Sequence, residues 1–335
     1  MFLNSWSIAL VICGLVVTFL MGFAARSGIR VLFHWNPDSD ANRQIQLENE
    51  IWLTSTLVEC ALGVQIISLV VFVLAADFYS QAIVGAMCAT GSLLANNFGV
   101  PALIVKIGGV FFYGFWIVLH QLDIRSEHYP LVRLKYVYLL LLLPFLALDL
   151  TLGVLYVAGL HPDIITSCCA VVFGETAGGG PNLLSGWSPR LSLSLFYGSA
   201  LALLAIGIVL LVRWRMWASL LFSSLCLWFF LLALMAVTTV FSSYIYAMPF
   251  HKCPFCILKA EYHYIGFLLY VPLFLGAFLG MSVIVAEPLR SLDGLEEVVP
   301  RFQKRAVVSC LALLLVFVGV ATYPYLRYLI LGGEG

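Results

Sequence analysis

Eight long apolar runs dominate this chain, at residues 8–23, 51–74, 101–119, 137–155, 191–212, 217–240, 255–277 and 307–323. A helix that crosses a bilayer needs about 20 apolar residues, so each run is a candidate span. The runs are continuous rather than alternating, which excludes a membrane β-barrel. Of the 335 residues, 62% are hydrophobic and 10% are charged, against roughly 25% charged in a soluble domain. A soluble globular enzyme and a disordered protein are therefore excluded. Lys plus Arg and Asp plus Glu each number 17, so no basic excess attracts nucleic acid. The expected fold is all-α: a polytopic integral membrane bundle of about eight transmembrane helices, forming a single domain over 1–335, with lipid as its first partner. The seventh run stays apolar to about residue 286 and is expected to be tilted or overlong.

Orientation follows from the basic residues of the short loops. Twelve lysines and arginines fall in one set of loops, among them Arg26, Arg125, Lys135, Arg213, Arg215 and Arg305. Only Arg190, Lys252 and Arg327 fall in the opposite set. Both termini are therefore expected on the extracytoplasmic side of a bacterial or archaeal cytoplasmic membrane. The first run lacks a positive flank ahead of it and reads as an uncleaved helix rather than a signal peptide. Residues 81–102 interrupt apolar sequence with Gly, Asn and Pro. Such backbone is tolerated at membrane depth only where protein or a cavity covers it. The outer segment 77–100 is read as re-entrant or interfacial, with a surface helix and loop as the alternative. The outer loop 160–190 contains Ala177–Pro181 as AGGGP, a composition suited to a flexible lid.

With that orientation Cys88, Cys168, Cys169, Cys253 and Cys256 lie on the outer face, while Cys13, Cys60, Cys226 and Cys310 fall in spans and read as packing residues. Thiols facing an oxidising compartment become disulfides, metal ligands or redox groups. The sharpest motif is HKCPFCILKAEYHY, from His251 to Tyr264. Cys253 is placed at the N-cap of the seventh helix, with Pro254 at its first position. The helix dipole, Lys252 and Lys259 would there stabilise a thiolate. A static disulfide, a metal site and a redox-active pair all remain open. It is not a covalent haem motif, since Ile257 stands where C-x-x-C-H needs histidine. Adjacent Cys168 and Cys169 read as structural disulfides, as joint soft-metal ligands, or as a shuttle pair exchanging with Cys253 or Cys256 through a mixed disulfide. Five outer thiols cannot all pair internally, and Cys88 is the natural one left over.

Cys253-Pro254-Phe255-Cys256-Ile257-Leu258 at the outer start of a membrane helix resembles the DsbB family and the vitamin K epoxide reductases. The resemblance implies a membrane C-x-x-C pair that passes electrons to a quinone and receives them from a second outer cysteine pair. It covers about a dozen residues. It departs in the number of spans, in the position of Lys259 beside Ala260, and in the adjacency of the second pair.

Glu59, Lys106 and Asp149 lie within candidate spans, where charge is costly and defaults to a functional hypothesis. Lys106 is near the outer end and can snorkel; Glu59 and Asp149 are deeper. His120 and His263 fall toward opposite membrane faces, a poor haem pair. His263 is expected two turns beyond Cys256 on one helix face, with Lys259 on the same stripe. Lys259, His263 and Tyr264 are thus candidate quinone contacts, with interfacial anchoring as the alternative for the tyrosine.

The leading reading is a membrane thiol–disulfide oxidoreductase, with catalytic Cys253, Cys256, Cys168 and Cys169, a quinone acceptor and an extracytoplasmic thiol protein as partner. The alternatives are a soft-metal binding or transport protein, and a non-catalytic subunit docking an outer electron carrier such as a cytochrome. No particular metal site is assigned by sequence.

Overall fold

The structure, a computed structural model, describes residues 4–34, 42–126, 129–161, 163, 166, 188–248 and 251–331. Among these there is no strand, and eight helices are long and apolar enough to cross a membrane. The chain is an all-α polytopic membrane protein. Its packing falls into two compact units, one of Met1–Val84, Ser92–Ile164 and Leu289–Val299, the other of Gly85–Gly91, Ile165–Pro288 and Pro300–Gly335.

The first unit holds four spanning helices: α1 (Ser5–His34), α2 (Asn42–Ser80), α4 (Gly99–Asp123) and α5 (Val132–Ala158); the five-residue α3 (Ala89–Leu93) precedes α4 in the chain, its first three residues belonging to the second unit. Helix α1 packs on α2 and α5, and α4 closes the ring against both. Its core joins Met21 and Val31 of α1, Leu62 of α2, Trp116 of α4 and Tyr136 and Leu139 of α5. Phe19, Trp52, Ile104 and Leu141 are exposed. Exposed apolar side chains on every helix suit hydrocarbon and not water, and lipid tails supply those surroundings. Helix α2 ends at Ser80, the chain turns irregularly, and α3 then adds one short helical stretch whose residues are all buried. Most of the irregular stretch 81–87 ahead of it is exposed.

The second unit is built on α6 (Pro189–Val212), α7 (Met216–Ala236), α9 (Ile265–Ala286) and α10 (Val298–Leu331). Ser188 caps α6, its hydroxyl accepting from the Leu191 amide, with Pro189 at the first position where its missing N–H costs nothing. Helix α7 packs on α6 and α9. Rings bring in α10: Phe317 lies 6.0 Å from Phe196 and 6.1 Å from Phe229. Cys226 and Cys310 are buried here, their sulfurs 3.9 Å apart. Helix α7 runs on through a π turn, Val237–Phe241, into α8 (Ser242–Tyr246). A π turn adds a residue and so re-aims the next stretch of helix. Tyr246 ends that stretch, and its hydroxyl meets the carbonyl of Cys253.

A buried three-sulfur cluster

The expected helix start at Cys253 is not formed. Cys256–Leu258 and Ala260–Tyr262 are short 3-10 turns, and the spanning helix α9 begins only at Ile265. Three partners hold the C-x-x-C segment in this compact form. The Tyr246 hydroxyl donates to the Cys253 carbonyl. The Tyr270 hydroxyl donates to the Pro254 carbonyl at 2.7 Å. Gly266, in the first turn of α9, leaves room for the turn: a Cβ there would stand 2.9 Å from the Ile257 carbonyl oxygen. These contacts occupy carbonyls that a helix would use for its own ladder, so the segment gains as much by not being helical.

The turn delivers Cys253 and Cys256 to a third cysteine. The Cys88 and Cys253 sulfurs are 3.4 Å apart. All three sulfurs, Cys88, Cys253 and Cys256, lie within 4.8 Å of one another. Thr90 places its hydroxyl 3.4 Å from the Cys253 sulfur. Cys88 is presented by a turn that needs Gly85, whose φ of +83° belongs to the left-handed region. The Thr166 carbonyl oxygen sits where a Cβ on Gly85 would come within 2.5 Å. Around the cluster, the Tyr246 ring lies 4.4 Å from His251 and 4.5 Å from Tyr262.

The sulfurs are shut away: Cys88 is 1% exposed, Cys253 0% and Cys256 6%. The Cys253 sulfur, then that of Cys88, then burial push the Cys256 thiol well above its ordinary range. The expectation of a thiolate favoured by a helix dipole is thereby corrected for Cys256. Cys256 does not stand at the start of the spanning helix, and neighbouring sulfurs resist a shared second negative charge.

The other expected residues divide. Cys168 and Cys169 lie outside the described residues. Lys259 is extended, with ψ at 157°. His263 and Tyr264 are exposed and both in left-handed backbone, at φ of 52° and 54°. They form the sharp bend into α9, so the expected stripe of Cys256, Lys259 and His263 along one helix face does not exist. Two successive left-handed non-glycine residues are costly and persist only where surroundings impose them.

Lys106 does not snorkel. Its ammonium is buried, 3.0 Å from an Asp149 oxygen and 3.2 Å from the Ser68 hydroxyl. Asp149 also accepts from Gln65. Glu59 is half-buried; it accepts from Gln121 at 2.7 Å and lies 3.7 Å from His120. Lys135, counted among the loop charges from sequence, is buried and paired with Asp123 at 2.8 Å. Sequence reasoning missed Gln65, Ser68 and Tyr113. The signal was present in α4, where Lys106, Tyr113 and His120 recur every seven residues, two helical turns, on one buried face.

No protein family, curated protein or solved structure matches the chain. The class defined by fold and site is a membrane protein with, among the described residues, eight helices able to span and a buried tri-cysteine centre.

Proposed function

We propose that the chain is a membrane thiol–disulfide oxidoreductase of the extracytoplasmic face, with Cys253 and Cys256 as its redox pair and Cys88 as the sulfur that exchanges with it. The observation that carries this reading is the 3.4 Å contact between the Cys88 and Cys253 sulfurs. Exchange needs sulfurs in contact. A lone structural bridge needs two cysteines and leaves the third without a purpose.

In the oxidation step Cys253 and Cys256 give up two electrons and two protons and join in a disulfide; a membrane quinone takes both and becomes a quinol. In the exchange step Cys88, as thiolate, attacks Cys253. The Cys88–Cys253 bond forms, the Cys253–Cys256 bond breaks, and Cys256 leaves with the electron pair and takes a proton. Tyr246, Tyr262 and Tyr270 surround the pair with aromatic surface against which a quinone ring can lie. Thr166 packs at Gly85, close in sequence to Cys168 and Cys169 and on the turn that carries Cys88. That supports a role for the adjacent cysteines as the outer pair that collects electrons from a soluble thiol protein. Reconstituted protein with a quinone should oxidise an added dithiol, and Cys253→Ser and Cys256→Ser should each abolish turnover. Full activity in either variant rejects the proposal.

A second reading rests on the same geometry. Three sulfurs within 4.8 Å match the trigonal thiolate sets that soft ions such as copper(I) take. One equivalent of copper retained by the purified chain, and lost on changing all three cysteines to serine, favours it. Turnover by metal-free protein removes it.

A further inference from the structure

The first unit carries a second polar centre, unconnected to sulfur chemistry, among its spanning helices. Helices α2, α4 and α5 each contribute. Lys106 of α4 lies 3.0 Å from one Asp149 oxygen and 3.3 Å from the other. Gln65 and Ser68 of α2 bond to the carboxylate and to the ammonium respectively. All four side chains are buried. A cavity of about 30 Å³ touches all four, walled by Leu10, Gly14 and Phe72. That is room enough to hold a water. The side-chain carbonyl oxygen of Gln65, on a residue 5% exposed, is buried and accepts no hydrogen bond. A water in the cavity would satisfy it.

A static charge pair is a poor stabiliser here. Apolar side chains of similar size hold buried sites as well or better. In its one position the ammonium already has partners besides the carboxylate: the Ser68 hydroxyl at 3.2 Å and the Phe72 ring, whose centroid is 5.6 Å away. A ring face and a hydroxyl can hold a cation that has lost its counter-ion.

We propose that Asp149 and Lys106 form a membrane-embedded proton-binding site, in which a proton taken up by Asp149 releases the Lys106 ammonium to Ser68 and Phe72. The proton adds to a carboxylate oxygen, the ion pair breaks, and the centre gains one positive charge. Few other charges interfere. From α1 the cavity meets Leu10, Val11 and Gly14, and from α2 Gln65, Ser68 and Phe72, none of them titratable. From α4 come Lys106 itself and Tyr113, on whose hydroxyl Asp149 acts. Asp149 is the titratable group from α5.

Infrared difference spectra of the full chain in lipid nanodiscs, taken on acidification, test the proposal. A component of the protonated-carboxyl band that rises in the wild type should be missing from Asp149→Asn and survive in Glu59→Gln. Lys106→Met removes the ammonium that opposes protonation. It should tighten proton binding by about ten- to a thousand-fold, so that the same band rises at higher pH. An Asp149→Asn spectrum identical to wild type overturns the site. So does a Lys106→Met band at the wild-type pH, which decides the matter even if Asp149→Asn does not fold.

Discussion

Removing either member of the Lys106–Asp149 pair should destabilise the first unit, and only the Lys106→Met loss should shrink as pH falls. The partners stand 3.0 Å apart, 8% and 1% exposed. Breaking a buried pair by deleting one member costs about 3–5 kcal/mol. In Lys106→Met the surviving carboxyl avoids burial as an anion by taking a proton. For an ordinary carboxyl, of pKa about 3.9, that costs roughly 4 kcal/mol at about pH 7 and roughly 1.5 kcal/mol at about pH 5. The loss in Lys106→Met therefore shrinks as pH falls. In Asp149→Asn the surviving ammonium must shed a proton or remain charged. Shedding it costs an ordinary lysine, of pKa about 10.4, roughly 4.6 kcal/mol at about pH 7 and more in acid. Ser68 and Phe72 remain to hold the charged form, which caps the loss near the lower end of the range. The double variant leaves no unpaired charge and should recover most of either loss. The assay is reversible unfolding in mixed micelles with increasing dodecyl sulfate, followed by tryptophan fluorescence at two pH values. Parallel pH dependence in the two single variants, or a double variant as unstable as the sum of both, would show that the pair is not held as described.

Other outcomes concern the sulfur centre. Gly266→Ala pushes a methyl against the Ile257 carbonyl and the Leu258 side chain, and it should cost about 1–3 kcal/mol; the check is faster alkylation of Cys253 and Cys256 in the native chain. Tyr246→Phe removes the donor to the Cys253 carbonyl and should cost about 1–2 kcal/mol, measured in the same unfolding assay. Because the Cys256 thiol is raised in the fold, its stabilisation is complete below the unfolded value, about 8.5, and is lost as pH rises toward the folded value. Stability of the reduced protein should therefore fall above about pH 8.5, and Cys256→Ser should flatten that decline.

The spans were legible because each is a long uninterrupted apolar run, and a bilayer accepts little else. Where the seventh helix begins was not. Apolar sequence resumes at Phe255, yet the helix waits until Ile265. The hydroxyls of Tyr246 and Tyr270 and the gap at Gly266 decide the conformation in between, and none of these contacts has a local signature. Cys88 looked like a leftover thiol because nothing in a linear reading joins it to a residue 165 positions away. Lys106 was placed near a membrane surface by its distance from the end of a run. Its actual partner, Asp149, depends on which helices are neighbours. The seven-residue recurrence of Lys106, Tyr113 and His120 was the one readable sign that a face of α4 turns polar groups inward.

Whether Cys88, Cys253 and Cys256 act as one exchanging sulfur centre can be read from peptide mapping without reductant, on the full chain as purified and after dithiol treatment. A bond from Cys253 to Cys256 or to Cys88 is expected in the oxidised chain, with the remaining sulfur alkylatable on unfolding, and three thiols are expected after treatment. A chain in which Cys253 is bonded to neither, or in which all three remain thiols after exposure to quinone, would rule out such a centre.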